Sequence, residues 1–65
     1  MCEAVVYVER DGKREKLMDD VVEVRPEEGK LLLVDVFGEQ KIISARIKEA
    51  NLIDHEIVLE EKPRE

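Results

Sequence analysis

The sequence is short of almost everything that carries catalytic or cofactor chemistry. It holds one cysteine, Cys2, so no disulfide can form within the chain. It holds one histidine, one serine, no tryptophan and two aromatic residues, Tyr7 and Phe37. A nucleophilic triad would need Cys2, His55 and an acid to meet, and nothing in their spacing brings them together. No glycine-rich phosphate loop, paired-histidine zinc motif or CxxC pair is present. No catalytic residue is therefore assigned. No apolar run approaches the roughly 20 residues that span a bilayer. No basic segment followed by an apolar stretch opens the chain, so no secretory signal is read. A lone thiol also suits a reducing compartment. The expectation is a cytoplasmic protein with no membrane partner.

What is present is charge and β-branched apolar residues. Charged residues make up 43% of 65 positions, with 17 acidic against 11 basic, for a formal net charge of −6. A phosphate-binding surface would be basic, so nucleic acid is disfavoured and no nucleic-acid-binding residue is named. The run Lys13, Arg14, Lys16 is interrupted by Glu15 and reads as a solvated hairpin strand. The apolar share, also 43%, includes nine valines and five isoleucines and favours strands. One small core without disulfides commonly gains stability by self-association.

Short strands can be traced along the chain. In residues 2–9, Cys2, Ala4, Val6 and Val8 share one face and Glu3, Val5, Tyr7 and Glu9 the other. Asp11-Gly12 is the favoured centre of a tight type I′ hairpin. Residues 14–18 return from it. Asp19-Asp20 breaks the pattern, and Val21, Val22 and Val24 form a third strand that ends at Pro26. Glu27-Glu28-Gly29-Lys30 is a turn. Leu31 to Phe37 reads as a central strand buried on both sides, followed by a turn at Gly38-Glu39. Residues 41–52 are read as one long strand, with a short helix over Ser44–Asn51 as the alternative. Asp54-His55 lies in a turn, and 56–60 is the last strand. The expected domain is 1–60, with 61–65 as a charged tail. Strands this short, without helices, bury a face only by curling. The fold expected is all-β: a small, strongly curved barrel of five to six antiparallel strands, SH3/Sm-like, its free edges suited to a homodimer.

Cys2 is the one residue whose position suggests chemistry. Removal of Met1 would leave its α-amine and thiolate to close a small chelate ring on a metal. With Met1 retained, the Met1 amine, the Cys2 amide nitrogen and the Cys2 thiolate are still adjacent donors. Planar amine, amide and thiolate donors suit nickel(II) or copper(II), whereas zinc wants more side-chain ligands than this chain has. One chain supplies one thiolate; a twofold axis near the N-terminus would supply two. The plain alternative is a small apolar residue opening the first strand, or a free thiol. His55 reads as a solvated turn residue. Asp19, Asp20 and Asp35 would hold a hard metal only if folding gathered them.

Met1-Cys2-Glu3-Ala4, leading into Val5-Val6-Tyr7-Val8, is followed in order by Met18-Asp19-Asp20-Val21, Leu33-Val34-Asp35-Val36-Phe37-Gly38-Glu39, Ala45-Arg46-Ile47-Lys48-Glu49 and His55-Glu56-Ile57-Val58-Leu59-Glu60. This series resembles the CooT family of small proteins over nearly the whole chain. The resemblance implies a homodimer of β-rich protomers that binds nickel(II) through Cys2, as an accessory to a nickel-enzyme client of the carbon monoxide dehydrogenase type. Backbone donors at Cys2 and Glu3 complete the expected metal set. Some members of the family are labelled predicted RNA-binding proteins, so an Sm-like RNA-binding module is one alternative, and a ligand-free interaction module another.

Overall fold

The computed structural model describes residues 3–61; Met1, Cys2 and residues 62–65 lie outside the described residues. Six strands form the chain: β1 Ala4–Arg10, β2 Lys13–Glu27, β3 Lys30–Asp35, β4 Gln40–Ile43, β5 Ala45–Asn51 and β6 Glu56–Glu61. They make one sheet in the order β4-β3-β2-β1-β6-β5. The edges of that sheet are β4 and β5, yet only Ser44 separates them in the chain. A flat sheet would hold its two edges several strand spacings apart, so this one must curl until they meet. The result is an all-β half-barrel with no helix among the described residues.

Local chemistry explains the turns. Asp11 and Gly12 both have positive φ, 51° and 79°, as a type I′ centre requires, and Arg10 pairs with Lys13 across it. Gly29 takes φ 77° between the paired Glu27 and Lys30. The expected break at Asp19-Asp20 is real but is not a turn. Asp20 enters the left-handed region at φ 55°, and the β1–β2 register slips between the pairs Ala4–Val21 and Val6–Met18. This bulge bends one 15-residue strand that pairs with β1 through its first half and with β3 through its second. The two strands expected over 14–26 are thus one.

The opposite correction applies further along. The long strand expected over 41–52 is divided at Ser44 and no helix forms there. Its first part pairs with β3 and its second with β6. Because the chain bends at Ser44 without reversing, an even number of reversals separates β1 from β6. The two lie side by side in parallel, Val5–Glu56 through Glu9–Glu60, where an all-antiparallel barrel was expected.

The core follows the alternation. Val6 and Val8 of β1, Val21 of β2, Leu31 and Leu33 of β3, Ala45 of β5 and Leu59 of β6 are buried together inside the curl. Full burial of a side chain such as Leu33 or Leu59 contributes about 1.5–3 kcal/mol. The run Leu31–Phe37 is not buried on both faces. Leu31, Leu33 and Asp35 point inward, Leu32 and Val34 are half-buried, and the strand stops at Asp35, leaving Phe37 exposed.

Candidate functional site

The strand registers bring three parts of the chain to one end of the barrel. Ala4 pairs with Val21, and Val21 with Asp35. Val5 pairs with Glu56, and Glu56 with Asn51. The chain therefore enters β1 between two turns, 36–39 after β3 and 52–55 after β5. The first turn starts two strand spacings from β1, roughly 10 Å, and the second ends directly beside it at β6. Cys2 itself lies outside the described residues. Glu3, half-buried, immediately precedes β1 at this end.

Both turns are held by a side chain at their root. Asp35 Oδ1 accepts the Phe37 and Glu39 amides, each at 2.9 Å. The Gly38 amide donates to the Asp35 carbonyl, the Asp35 amide to the Glu39 carbonyl and the Val36 amide to the Asp20 carbonyl, each at 3.0 Å. Across the end, Asn51 Oδ1 accepts the Ile53 and Asp54 amides at 3.1 Å, and Asn51 Nδ2 donates to Asp54 Oδ2. His55 completes that turn at φ 57°, and its carbonyl accepts the Val5 amide at 2.9 Å.

These rigid turns present apolar tips to solvent. Phe37 is 80% exposed, Leu52 81% and Ile53 90%. Their surroundings are acidic. Residues 3–5, 19–22, 35–39 and 51–56 contain seven carboxylates and no lysine or arginine. The other described residues contain nine carboxylates and nine lysines or arginines. The excess negative charge of the described chain is therefore all at the N-terminal end.

At the far end, charge is paired. Arg10 reaches Glu15 at 3.3 Å and Glu61 at 3.0 Å, and Arg46 reaches Glu60 at 3.0 Å. Glu9 takes Lys48 and Arg14. The hydrogen bond from Lys48 is the main cause that holds the Glu9 carboxyl below its ordinary range, and the same bond raises Lys48. An open cavity of about 1060 Å³ lies here, lined by both Asp11-Gly12 and Gly29, with Ser44 and the already paired Glu60 and Glu61. The stretch Lys13, Arg14, Lys16 is a hairpin strand in which Arg14 bonds Glu9 and Lys16 bonds Asp19.

Among the described residues, no three His, Cys, Asp or Glu side chains form a metal-holding group. The aspartates considered from sequence are not gathered for one: Asp35 spends an oxygen on backbone amides, and Asp19 pairs with Lys16. Sequence reasoning missed the exposed Phe37, although a signal was there. Asp at the first position and Gly at the fourth of Asp35-Val36-Phe37-Gly38 is the composition of a type I turn.

The CooT family model, described as a CO dehydrogenase accessory protein, matches residues 1–60. The chain belongs to the CooT family. A crystal structure assigned to CooT of Carboxydothermus hydrogenoformans superposes with a TM-score of 0.88 at 39% identity, covering 95% of this chain and all of that one. No curated protein matches the chain. The family is thus one of accessory proteins to CO dehydrogenase, and its match takes in Cys2 together with both turns that flank the N-terminal entry. No helix among the described residues is long and apolar enough to cross a membrane.

Proposed function

We propose that this protein carries nickel(II) as cargo for the maturation of carbon monoxide dehydrogenase, acting in the cytoplasm as a homodimer and not as an enzyme. The observation that carries the reading is the register, which delivers the N-terminal entry to an end of the barrel whose segments bear seven carboxylates and no lysine or arginine of their own, with Lys16 reaching Asp19 from outside them. Negative potential there raises the local concentration of a divalent cation and opposes its loss. Cys2 supplies the thiolate, and the backbone nitrogens of Cys2 and Glu3 supply adjacent donors, a set that suits planar nickel(II). Two thiolates reach one ion when a twofold axis passes beside the N-terminus. The bent β2 and the single-residue hinge at Ser44 support an SH3/Sm-like description of the half-barrel.

Nickel titration of the metal-free protein tests this, read by thiolate-to-metal charge-transfer absorption and by mass spectrometry under non-denaturing conditions. A nickel-loaded dimer with one ion per dimer is expected. Cys2→Ser is expected to lose the absorption band and at least tenfold in affinity. Equal nickel binding by Cys2→Ser overturns the reading.

A further inference from the structure

Seven large apolar side chains stand exposed among the described residues, and five of them are at the N-terminal end. Val22, Val36 and Phe37 lie on one side of the entry to β1, and Leu52 and Ile53 on the other. Apolar side chains gathered at one end of a small protein mark a contact surface. The tips are also ordered in advance. Phe37 sits on a turn fixed by hydrogen bonds around Asp35, and Leu52 and Ile53 sit on a turn fixed by Asn51. Rigid anchors of this kind lose little freedom when they are covered.

We infer that these two turns form the contact between two copies of this chain, with Phe37 of one protomer packed against Leu52 and Ile53 of its partner. The inference rests on the homodimer proposed above and gives it a surface. Symmetry decides the pairing. A twofold contact uses the same patch on both copies, so that whatever one protomer offers on one side it receives on the other. Two thiolates share one ion when the axis passes beside the chain entry, and that entry lies between the two turns. A half-turn about an axis lying in this end face, between the turns, sets each turn against the opposite turn of the second copy. Phe37 therefore meets the aliphatic pair twice, once on each side of the axis. The same contact brings two acidic ends together, since the segments there carry seven carboxylates and Lys16 reaches Asp19 from outside them. Apolar burial has to outweigh that repulsion, and salt screens only the repulsion. The dimer accordingly tightens as salt rises, whereas a complex with a basic partner would loosen.

The experiment follows the metal-free protein, with a chelator present, by sedimentation equilibrium over a range of concentrations. A monomer–dimer equilibrium is expected that tightens about threefold or more between about 0.02 M and about 0.5 M salt, as the screening length falls from roughly 20 Å to roughly 4 Å. Phe37→Ser, and the double variant Leu52→Ser with Ile53→Ser, are each expected to weaken it about tenfold or more. Glu39→Lys sets a cation against the acidic turn of the second copy and is expected to tighten it at low salt. Lys13→Ser, at the far end, is expected to leave it unchanged. Mixing the two tip variants tests the pairing itself. The mixed dimer keeps one intact contact between Phe37 and the aliphatic pair, whereas neither variant alone keeps any, so the mixture is expected to dimerise about threefold more tightly than either component. That rescue also shows that both variants fold. A monomer at every concentration, a dimer indifferent to the tip substitutions, a dimer that loosens with salt, or a mixture that dimerises no better than its components overturns the inference. Since no metal is present, none of these outcomes touches nickel binding by Cys2, which the absorption band reports separately.

Discussion

The two ends of this barrel treat charge in opposite ways. At the hairpin end, Arg10, Arg46 and Lys48 each face a carboxylate, and the exposed Ile42 lines the open cavity. At the N-terminal end, seven carboxylates are met by Lys16 at Asp19 and by no lysine or arginine of the same segments, and Phe37, Leu52 and Ile53 stand almost fully in solvent. Paired surface ions add little stability, about 0–1 kcal/mol each, but they cost nothing in repulsion. An end with an excess of carboxylates has a repulsive cost, and exposed apolar tips give nothing back within one subunit. An end that lowers stability without compensation inside the chain is the end to examine for function.

The largest expected effect comes from breaking the N-terminal end at its root. Asp35 is its buried carboxylate, and it accepts two backbone amides. Asp35→Ala leaves both donors without that partner and is expected to cost about 3 kcal/mol. Asp35→Asn keeps an acceptor oxygen and is expected to recover most of the loss. Glu39→Ala, on the same turn but exposed, is expected to change little. Urea unfolding midpoints decide it: if Asp35→Ala is no worse than Glu39→Ala, the turn is not anchored as described, and Phe37 is not a rigid tip.

The contrast between ends could be read from the sequence only in part. All six strands have counterparts in the pattern, yet two of the boundaries are reversed. Asp19-Asp20 has the composition of a turn, and a bulge uses the same left-handed residue; which of the two forms depends on the strands paired on either side. Ser44 carries no turn signal because the chain bends there without reversing. Asp11-Gly12, by contrast, needed only its own two residues to specify the hairpin. The acidic end was invisible for a related reason. Glu3, Asp19, Asp20, Asp35, Glu39, Asp54 and Glu56 are scattered along the chain, and only the parallel β1–β6 pair with the bend in β2 gathers them. Cys2 was legible as a candidate from its chemistry and its neighbours, whereas the surroundings of its attachment point required the register.

A smaller effect tests the charge imbalance directly. Glu39 and Glu56 both lie at the acidic end. Glu39→Gln with Glu56→Gln relieves like-charge repulsion and is expected to stabilise by about 0.5 kcal/mol at low ionic strength. In about 0.5 M salt the gain is expected to vanish. Glu60→Gln with Glu61→Gln removes partners from Arg46 and Arg10 and is expected to have the opposite sign. Thermal midpoints at two salt concentrations show both. The same sign at both ends would mean that the acidic end is compensated after all.

The smallest effect belongs to the paired end and concerns pH. Glu9 ordinarily titrates near 4.5, and the hydrogen bond from Lys48 lowers it in the folded protein. The folded state therefore resists protonation more than the unfolded chain does. The contribution of this pair is complete above the ordinary carboxylate range and is lost as pH falls through the lowered value. Lys48 is raised by the same bond, so on the basic side the pair persists until pH passes the raised ammonium value. Lys48→Met should consequently unfold at slightly lower urea than the parent at neutral pH. The two proteins should converge as pH falls through the lowered Glu9 value. A gap in midpoint that stays constant over that range would show that Lys48 acts by packing its stem against the sheet and not by its charge on Glu9.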